Sequence, residues 1–581
     1  MIEDKKLTGY PSIDKPWLRY YSEEAINAPL PECTMYEYIW RNNKSHLEQV
    51  ALNYYGTKIT FRKMFENIKT TAEAFSAAGV KAGDIIIIVS VTTPELIYSV
   101  YALNYIGAIP NMVDPRTSTD GIRDYIKEVS AKMILTIDLA YPKILESAKD
   151  TSVRQIIMLS VFDSMPAPLK AILKVKEIKN IVKTDAPVHT KKWRTFLKKR
   201  ETTQAVPVTY QPNQCAIIVH TGGTTGLPKG VMLSNDNANA GAHEAIYSPI
   251  YMKRGDSFLN IIPPFVAYGM ILGIHTPLSG GWTSYIIPKF DPNSFDRLLI
   301  KYKPNGLIGI PSYYEKMMSS KLIQRKNLGY IKCLLSGGDK TQAGFETRIN
   351  QFLKDHNANI HLTKGYSMTE ASAMATVSYE NTIKIGSNGV PLVNTLISAF
   401  EEGTENELKY GQLGEICISS PTIMMGYYHN QKETDGIVRV HHDGRKWIHS
   451  GDLGYVDHDG FVYIEGRLKR VIIPYHGFKV FPSFIESVVL SHFGIDSCCV
   501  VGKKDMDHGH GQIPIAFCVL KHEITIPEPQ ITKELFAICQ QKLPDYSQPA
   551  AFRYVDALPL TPIGKVDYRA LERMAEMQNS L

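Results

Sequence analysis

The chain has 581 residues with a hydrophobic share of 44% and a charged share of 21%, the balance of an ordinary globular protein. A net charge of +6 is too mild to indicate nucleic acid as a partner, and no run approaches the about 18 apolar residues of a membrane span. The opening Met1-Ile-Glu-Asp-Lys-Lys6 is polar with no apolar signal core, and the eight cysteines are scattered without a CxxC pair. These features predict a cytoplasmic protein with reduced thiols, neither disulfides nor zinc ligands. The length predicts about four domain-sized units.

The first section alternates helix and strand. Thr60 is a capping residue, and Phe61, Met64, Phe65, Ile68 and Phe75 follow at helical spacing. Asp84 to Ser90 is a continuous apolar strand. Thr93-Pro94-Glu95 opens a second helix, with proline at the first helical position and an acid in the first turn. That helix ends near Gly107. Ala108 to Val113, Met133 to Ile137 and Gln155 to Leu159 add strands. Such alternation predicts an α/β fold of parallel-rich sheets layered with helices.

Residues 165 to 204 differ in composition. Leu169 to Lys183 reads as a basic helix with apolar residues on one side. Lys191 to Arg200 is basic with Trp193, Phe196 and Leu197 interleaved. Two readings stand: peripheral contact with an anionic membrane surface, or a solvated helix pair packed on the sheet.

Cys215 to His220 is an apolar run of strand length. It delivers the chain into Thr221-Gly-Gly-Thr-Thr-Gly-Leu-Pro-Lys-Gly230. Glycines allow close approach to a bulky anion, and N–H groups, threonine hydroxyls and Lys229 suit phosphate oxygens. Lys229 lies between Pro228 and Gly230, so the stretch reads as a mobile flap and not as a P-loop helix cap. Further on, Ile261 to Gly269, Cys333 to Gly338, Lys364-Gly-Tyr-Ser-Met-Thr-Glu370, Trp447-Ile-His-Ser-Gly-Asp452, Gly466-Arg467, His476 to Val480 and Leu558 to Asp567 follow in order. Gly411 to Glu415 and Pro421 to Tyr427 carry glycines that suit turns and not chemistry.

This series resembles the motifs of the adenylate-forming superfamily, which includes acyl-CoA synthetases, luciferases and peptide-synthetase adenylation domains. The resemblance covers most of the chain and implies a large N-terminal AMP-binding domain, residues 1–468, and a small mobile α+β domain, residues 469–581, with a hinge at Lys469. It implies that Thr221, Gly222, Gly223, Thr224, Thr225, Gly226 and Lys229 hold ATP phosphates and that Gly338 lies against adenine. It implies that Tyr366 stacks on adenine, Thr369 contacts the α-phosphate and Glu370 holds Mg²⁺. Asp452 and Arg467 would take the ribose, His476 and Gly477 would meet the pantetheine arm of CoA, and Lys565 would be the catalytic lysine.

Phe265, Val266, Tyr268 and Gly269 match the segment where the acyl pocket begins. Amino-acid activators of the family place an aspartate at the position of Val266, and an apolar side chain cannot neutralise a buried ammonium group. The expected substrate is therefore a carboxylic acid with an apolar body, a medium- or long-chain fatty acid, activated with ATP and Mg²⁺ and passed to CoA. An acyl carrier protein is the alternative acceptor. A non-catalytic nucleotide-binding relative is the alternative of another class. No cysteine is nominated as a nucleophile. Departures from the family pattern are Lys364 and Ser367 in the Tyr366 motif, Asp339-Lys340 after Gly338, and Arg470 beside the hinge.

Overall fold

The computed structural model describes residues 7–171, 189–198, 204–221, 228–248, 250, 252–337, 341, 343–477, 479–521, 524–561 and 566–577. They form two compact units. The larger comprises Met1–Ile397, Ile418–Ile448 and Asp457–Val462.

Local signals in the larger unit become structure at the expected places. The helix Phe61–Ala77 begins where the Thr60 hydroxyl accepts the Lys63 N–H at 3.2 Å, and Phe61, Met64, Phe65, Ile68 and Phe75 are its buried stripe. Thr93 repeats the cap for the helix Pro94–Tyr105, accepting the Leu96 N–H at 3.2 Å. That helix is buried from Pro94 to Asn104, so it packs on every side.

Two sheets carry the unit. The first has eight strands, in the order Gly426–Tyr427, Gly230–Ser234, Cys215–His220, Ile109–Val113, Ile85–Val89, Met133–Ile137, Gln155–Leu159 and His189–Lys192. It is parallel from Cys215–His220 to His189–Lys192, and the helices Pro94–Tyr105, Thr119–Glu128 and Tyr141–Ser147 return the chain between its strands from Ile85–Val89 to Gln155–Leu159. Cys215–His220 and Gly230–Ser234 instead form an antiparallel hairpin, with His220 opposite Gly230. The glycine loop is thus a hairpin loop. The helix Asn235–Tyr247 starts only after the second strand, at a Ser234–Asn237 capping box. The second sheet has seven strands, ordered Thr363–Lys364, Cys333–Ser336, Gly306–Gly309, Ser257–Asn260, Thr283–Ile286, Val50–Tyr54 and Thr57–Thr60.

A buried hydrogen-bond chain ties the helix Asn235–Tyr247 to its neighbours. Asn239 donates its amide to the Cys33 carbonyl at 2.7 Å, so its Oδ1 accepts from His275 Nε2 at 2.9 Å. His275 Nδ1 then accepts from the Tyr101 hydroxyl at 3.0 Å. Burial pushes the His275 pKa down to about 3, which keeps the ring neutral.

In the basic stretch, residues 172–188 and 199–203 lie outside the described residues, including most of the expected basic helix. Trp193 and Phe196 are described and point inward. Phe196 is fully buried with its ring 5.2 Å from Phe75. These two aromatic side chains lie in the core, which for the stretch around them favours the second of the two readings, packing on the sheet. Among the described residues no helix is long and apolar enough to cross a membrane.

The smaller unit comprises Ser398–Cys417, His449–Val456 and Tyr463–Leu581. It therefore includes two segments well upstream of Lys469. Its three-stranded sheet runs Ile495–Lys504, Gln512–Leu520 and Ala551–Tyr554. Side chains alternate across the sheet with period two. Val500, Ala516 and Cys518 pack with Ile485, Val489 and Leu535 of two helices. Cys499, Val501, Ile515 and Phe517 pack with Leu571 and Ala575 of the helix Tyr568–Met577. All eight cysteines are free thiols.

Candidate active site

The glycine loop is described at its stem. The Thr221 N–H donates to the Lys229 carbonyl at 3.1 Å, and the Lys229 N–H donates to the Thr221 hydroxyl at 3.1 Å. Tyr125 donates its hydroxyl to the Pro228 carbonyl at 3.0 Å. His220 sits below, with Nδ1 on the Met112 carbonyl at 2.8 Å, and burial pushes its pKa down to about 4. The stem is thus pinned by backbone and neutral groups. Gly222, Gly223, Thr224, Thr225 and Gly226 lie outside the described residues, as do Gly338 and Lys565.

Tyr366, Thr369 and Glu370 follow the edge strand Thr363–Lys364 of the seven-stranded sheet. Tyr366 is buried, and its N–H donates to the Thr376 hydroxyl at 2.7 Å. Just upstream, Lys364 Nζ meets Glu346 Oε2 at 2.5 Å with both side chains buried. Burial lowers the Lys364 pKa, opposed by the Glu346 carboxylate. A charged pair therefore stands where the family often has an uncharged amide side chain.

Glu370 connects to a residue that sequence reasoning had assigned to structure alone. The Tyr427 hydroxyl donates to Glu370 Oε1 at 2.6 Å. The face of the Tyr427 ring lies under Lys229, with Nζ 4.7 Å from the centroid. Lys229 Nζ also pairs with Glu433 Oε2 at 2.6 Å. Tyr427 stands opposite Val231 of the strand after the loop, a pairing that only the fold reveals. Glu370 is half-buried and offers carboxylate oxygens, the donor chemistry that Mg²⁺ takes.

The expected acyl-pocket residues are held in place largely through their backbone. Phe265 is buried, its carbonyl accepts the His220 N–H at 3.4 Å, and Arg116 lies over its ring at 5.7 Å. The Val266 carbonyl accepts two N–H groups, from Gly269 and Met270. A Cβ at Gly269 would stand 1.8 Å from the Pro263 carbonyl oxygen, so the backbone is packed on itself. The Tyr268 hydroxyl is buried, and a Cβ at Gly337 would lie 2.6 Å from it. An apolar cavity of about 30 Å³ also lies in the larger unit. Its lining includes Ala245, Leu272, Ile308, Leu335, Met374 and Val377, and none of the four expected residues. Cys333 also lines it, and burial pushes that thiol up to about 12, which leaves it protonated and unreactive.

In the smaller unit Asp452 and Arg467 are brought together, with Asp452 Oδ1 at 2.8 Å from Arg467 Nε. Asp452 is buried, and its N–H donates to the Ser450 hydroxyl at 3.0 Å. The strand Lys446–Val456 that carries Asp452 is braced by Glu415, whose Oε1 accepts the Gly451 N–H at 3.0 Å and whose Oε2 meets His449 Nδ1 at 2.9 Å. Cys417 Sγ lies 3.5 Å from the same nitrogen. Gly451 has φ +68°, a left-handed conformation that favours glycine. Lys469 is exposed within the short turn Leu468–Arg470. Arg470 is fastened to the α+β core, with its guanidinium 3.6 Å over the Tyr568 ring, 2.9 Å from Glu486 and 3.0 Å from the Val500 carbonyl. His476 and Gly477 lie in a turn beside Tyr475, and Gly477 has φ +79°.

Comparison with known proteins matches residues 39–428 to the AMP-binding enzyme family model and residues 485–565 to the AMP-binding enzyme C-terminal domain. A long-chain-fatty-acid–CoA ligase of Bacillus subtilis is 29% identical, covering 96% of this chain and 97% of its own. A probable 4-coumarate–CoA ligase 1 of Dictyostelium discoideum is 27% identical, covering 94% and 96%. Among solved structures, ATP-bound MatB of Rhodopseudomonas palustris has a TM-score of 0.78 at 20% identity, covering 93% of this chain and 98% of its own. A benzoate CoA ligase of Burkholderia xenovorans LB400 has a TM-score of 0.75 at 20% identity, with 93% and 99% covered. The structural likeness is one of fold.

Proposed function

The chain belongs to the AMP-binding enzyme family, and from that premise we propose that it is an acid–CoA ligase for a carboxylic acid with an apolar body, a medium- or long-chain fatty acid. The observation that carries the substrate class is Val266, apolar where amino-acid activators of the family place an aspartate, which leaves a substrate ammonium group no counter-charge. The apolar cavity of about 30 Å³ lined by Ala245, Leu272, Ile308, Leu335 and Met374 is smaller than an acyl chain and is proposed to widen as the chain enters. The end-to-end match to a long-chain ligase supports the same reading.

In the proposed reaction a carboxylate oxygen attacks the α-phosphorus of ATP, the bond to pyrophosphate breaks, and an acyl-adenylate forms. The CoA thiol then attacks the acyl carbon and AMP leaves. The chain's part is positioning and charge stabilisation. Tyr366 offers a ring to adenine, and Asp452 with Arg467 offers hydrogen bonds to ribose. The loop from Thr221 to Lys229, with Gly222, Gly223, Thr224, Thr225 and Gly226, takes the departing pyrophosphate. Thr369 and Lys565 meet the charge that builds around the α-phosphorus. Glu370 would hold Mg²⁺, which supplies neutralising charge at phosphate oxygens when bound.

Lys469 is proposed as the hinge. It is exposed and directly precedes Arg470, whose guanidinium is anchored in the α+β core, so rotation there leaves that core intact. His476 and Gly477 are proposed to meet the pantetheine arm.

The test is a panel of saturated, aromatic and amino acids with ATP and Mg²⁺, each offered CoA and a phosphopantetheine-loaded carrier protein. Thioester formation on CoA with saturated acids of medium or long chain is expected. Turnover restricted to amino acids, or to the carrier protein, would overturn the reading.

A further inference from the structure

Three side chains around Tyr427 form one connected unit in the larger domain. The Tyr427 hydroxyl holds Glu370 Oε1 at 2.6 Å, its ring face carries Lys229 Nζ at 4.7 Å, and Lys229 is paired with Glu433 Oε2 at 2.6 Å. Tyr427 is itself fixed. It is 5% exposed, pairs with Val231 in the eight-stranded sheet, and its N–H donates to the Thr434 hydroxyl at 2.9 Å. Glu433 is of the opposite character, with 53% of its side chain exposed, at the start of the helix Gln431–Ile437. One partner of Lys229 is therefore rigid and the other easily returned to water.

We propose that Tyr427 and Glu433 are positioning residues that hold Glu370 and Lys229, and that Glu433 yields Lys229 to an incoming polyphosphate. This rests on the assignment of Lys229 to phosphate and Glu370 to Mg²⁺ under the proposed function.

The physical argument concerns exchange of one anion for another. Lys229 pairs with the carboxylate of Glu433 and lies over the ring whose hydroxyl is on Glu370. The Tyr427 hydroxyl occupies Glu370, and the Tyr427 ring keeps the ammonium over a π face while Glu433 takes its charge. When a polyphosphate arrives, Lys229 moves from an exposed carboxylate to a more highly charged anion. Its ring contact persists, so little reordering is needed. Glu370 remains oriented throughout by a hydrogen bond from outside the metal's own ligand set, the arrangement that tunes metal sites.

The experiment uses the full chain and three variants, Tyr427→Phe, Glu433→Gln and Glu433→Asp. Inorganic pyrophosphate binding is measured by calorimetry, and the Mg²⁺ dependence of ATP turnover is followed in parallel with thermal unfolding. Glu433→Gln is expected to tighten pyrophosphate binding about two- to five-fold, the worth of an exposed ion pair, and Glu433→Asp to restore the parent value. Tyr427→Phe keeps the ring but removes the hydroxyl. It is expected to raise the Mg²⁺ needed for half-maximal rate about ten-fold or more and to lower kcat, with the unfolding midpoint little changed. If Tyr427→Phe does not fold, the Glu433 pair decides alone. A parent chain that binds Mg-ATP while the variants titrate like it contradicts the latch. A parent chain that takes no Mg-ATP contradicts the assigned function, and the latch falls with it.

Discussion

Glu415 reaches His449 Nδ1 with one carboxylate oxygen, at 2.9 Å, and the Gly451 N–H with the other, at 3.0 Å. One buried side chain thereby fixes the strand Lys446–Val456 at two points just before Asp452. Glu415→Ala leaves the imidazole and the N–H without that partner, each at about 1–3 kcal/mol. The expected outcome is a lower unfolding midpoint together with a raised KM for ATP. Urea unfolding and ATP titration of the variant check it. An unchanged KM would separate the brace from the nucleotide.

The buried Lys364–Glu346 pair gives a stability prediction with an internal control. Lys364→Ala leaves a carboxylate buried without its counter-charge and is expected to cost about 3–5 kcal/mol. The double variant Lys364→Met, Glu346→Leu removes both charges and is expected to recover most of that loss. Chemical denaturation of the two variants and the parent reads the difference. Equal losses in the single and double variants would mean that the charges do not act as a pair.

Ala245 lines the apolar cavity from the helix Asn235–Tyr247. Ala245→Phe fills space that the acyl chain is proposed to occupy. The expected outcome is a fall in kcat/KM for long-chain acids of at least about ten-fold, with short acids much less affected, and an overpacking cost of about 1–3 kcal/mol. Rate measurements across a chain-length series check it. A uniform fall at every length would place the acyl chain elsewhere.

Stability should also depend on pH through groups buried in their neutral forms. Burial raises the Glu244 pKa to about 8, and its Oε2 lies 3.1 Å from the Thr395 hydroxyl, which itself reaches Ser420. A protonated Glu244 donates to Thr395 and leaves that hydroxyl free to donate onward. A raised carboxyl pKa means that the folded state binds the extra proton, so the contribution is intact below the ordinary value of 4.5 and is lost as pH rises towards 8. His220 acts at the other end. Its pKa is lowered from 6.5 to about 4, so its contribution is full above 6.5 and is lost as pH falls through that range. Glu244→Gln is expected to flatten the decline of the urea midpoint between pH 6 and pH 8 (on the order of the shift described above). Glu95, raised to about 7, accounts for the slope that remains. A parent midpoint as high at pH 8 as at pH 6 would contradict this.

What the sequence made legible was local. The caps at Thr60 and Thr93 and the strand Cys215–His220 follow from short-range composition, whereas the antiparallel pairing of that strand with Gly230–Ser234 appears only in the fold. The resemblance implies that Asp452 and Arg467 both take the ribose; their ion pair at 2.8 Å is seen only in the structure. The rest depends on tertiary contacts that no window can contain. The cavity draws on Ala245, Ile308, Leu335 and Met374, which come from different elements of the larger unit. Trp193 and Phe196 stand among lysines, and only the packing of Phe196 on Phe75 shows which way they face. Tyr427 reads as a turn residue until its hydroxyl is seen on Glu370. The compact smaller unit takes in Ser398–Cys417 and His449–Val456, a grouping invisible in chain order.

The central claim is that this chain activates an apolar carboxylic acid as its adenylate. The most direct measurement is exchange of labelled pyrophosphate into ATP by the purified chain, with Mg²⁺ and without CoA, in the presence and absence of a long-chain fatty acid. The account predicts exchange that requires the acid and is abolished by chelating the metal. Exchange that is absent with every acid, or that proceeds equally without any acid, would contradict it.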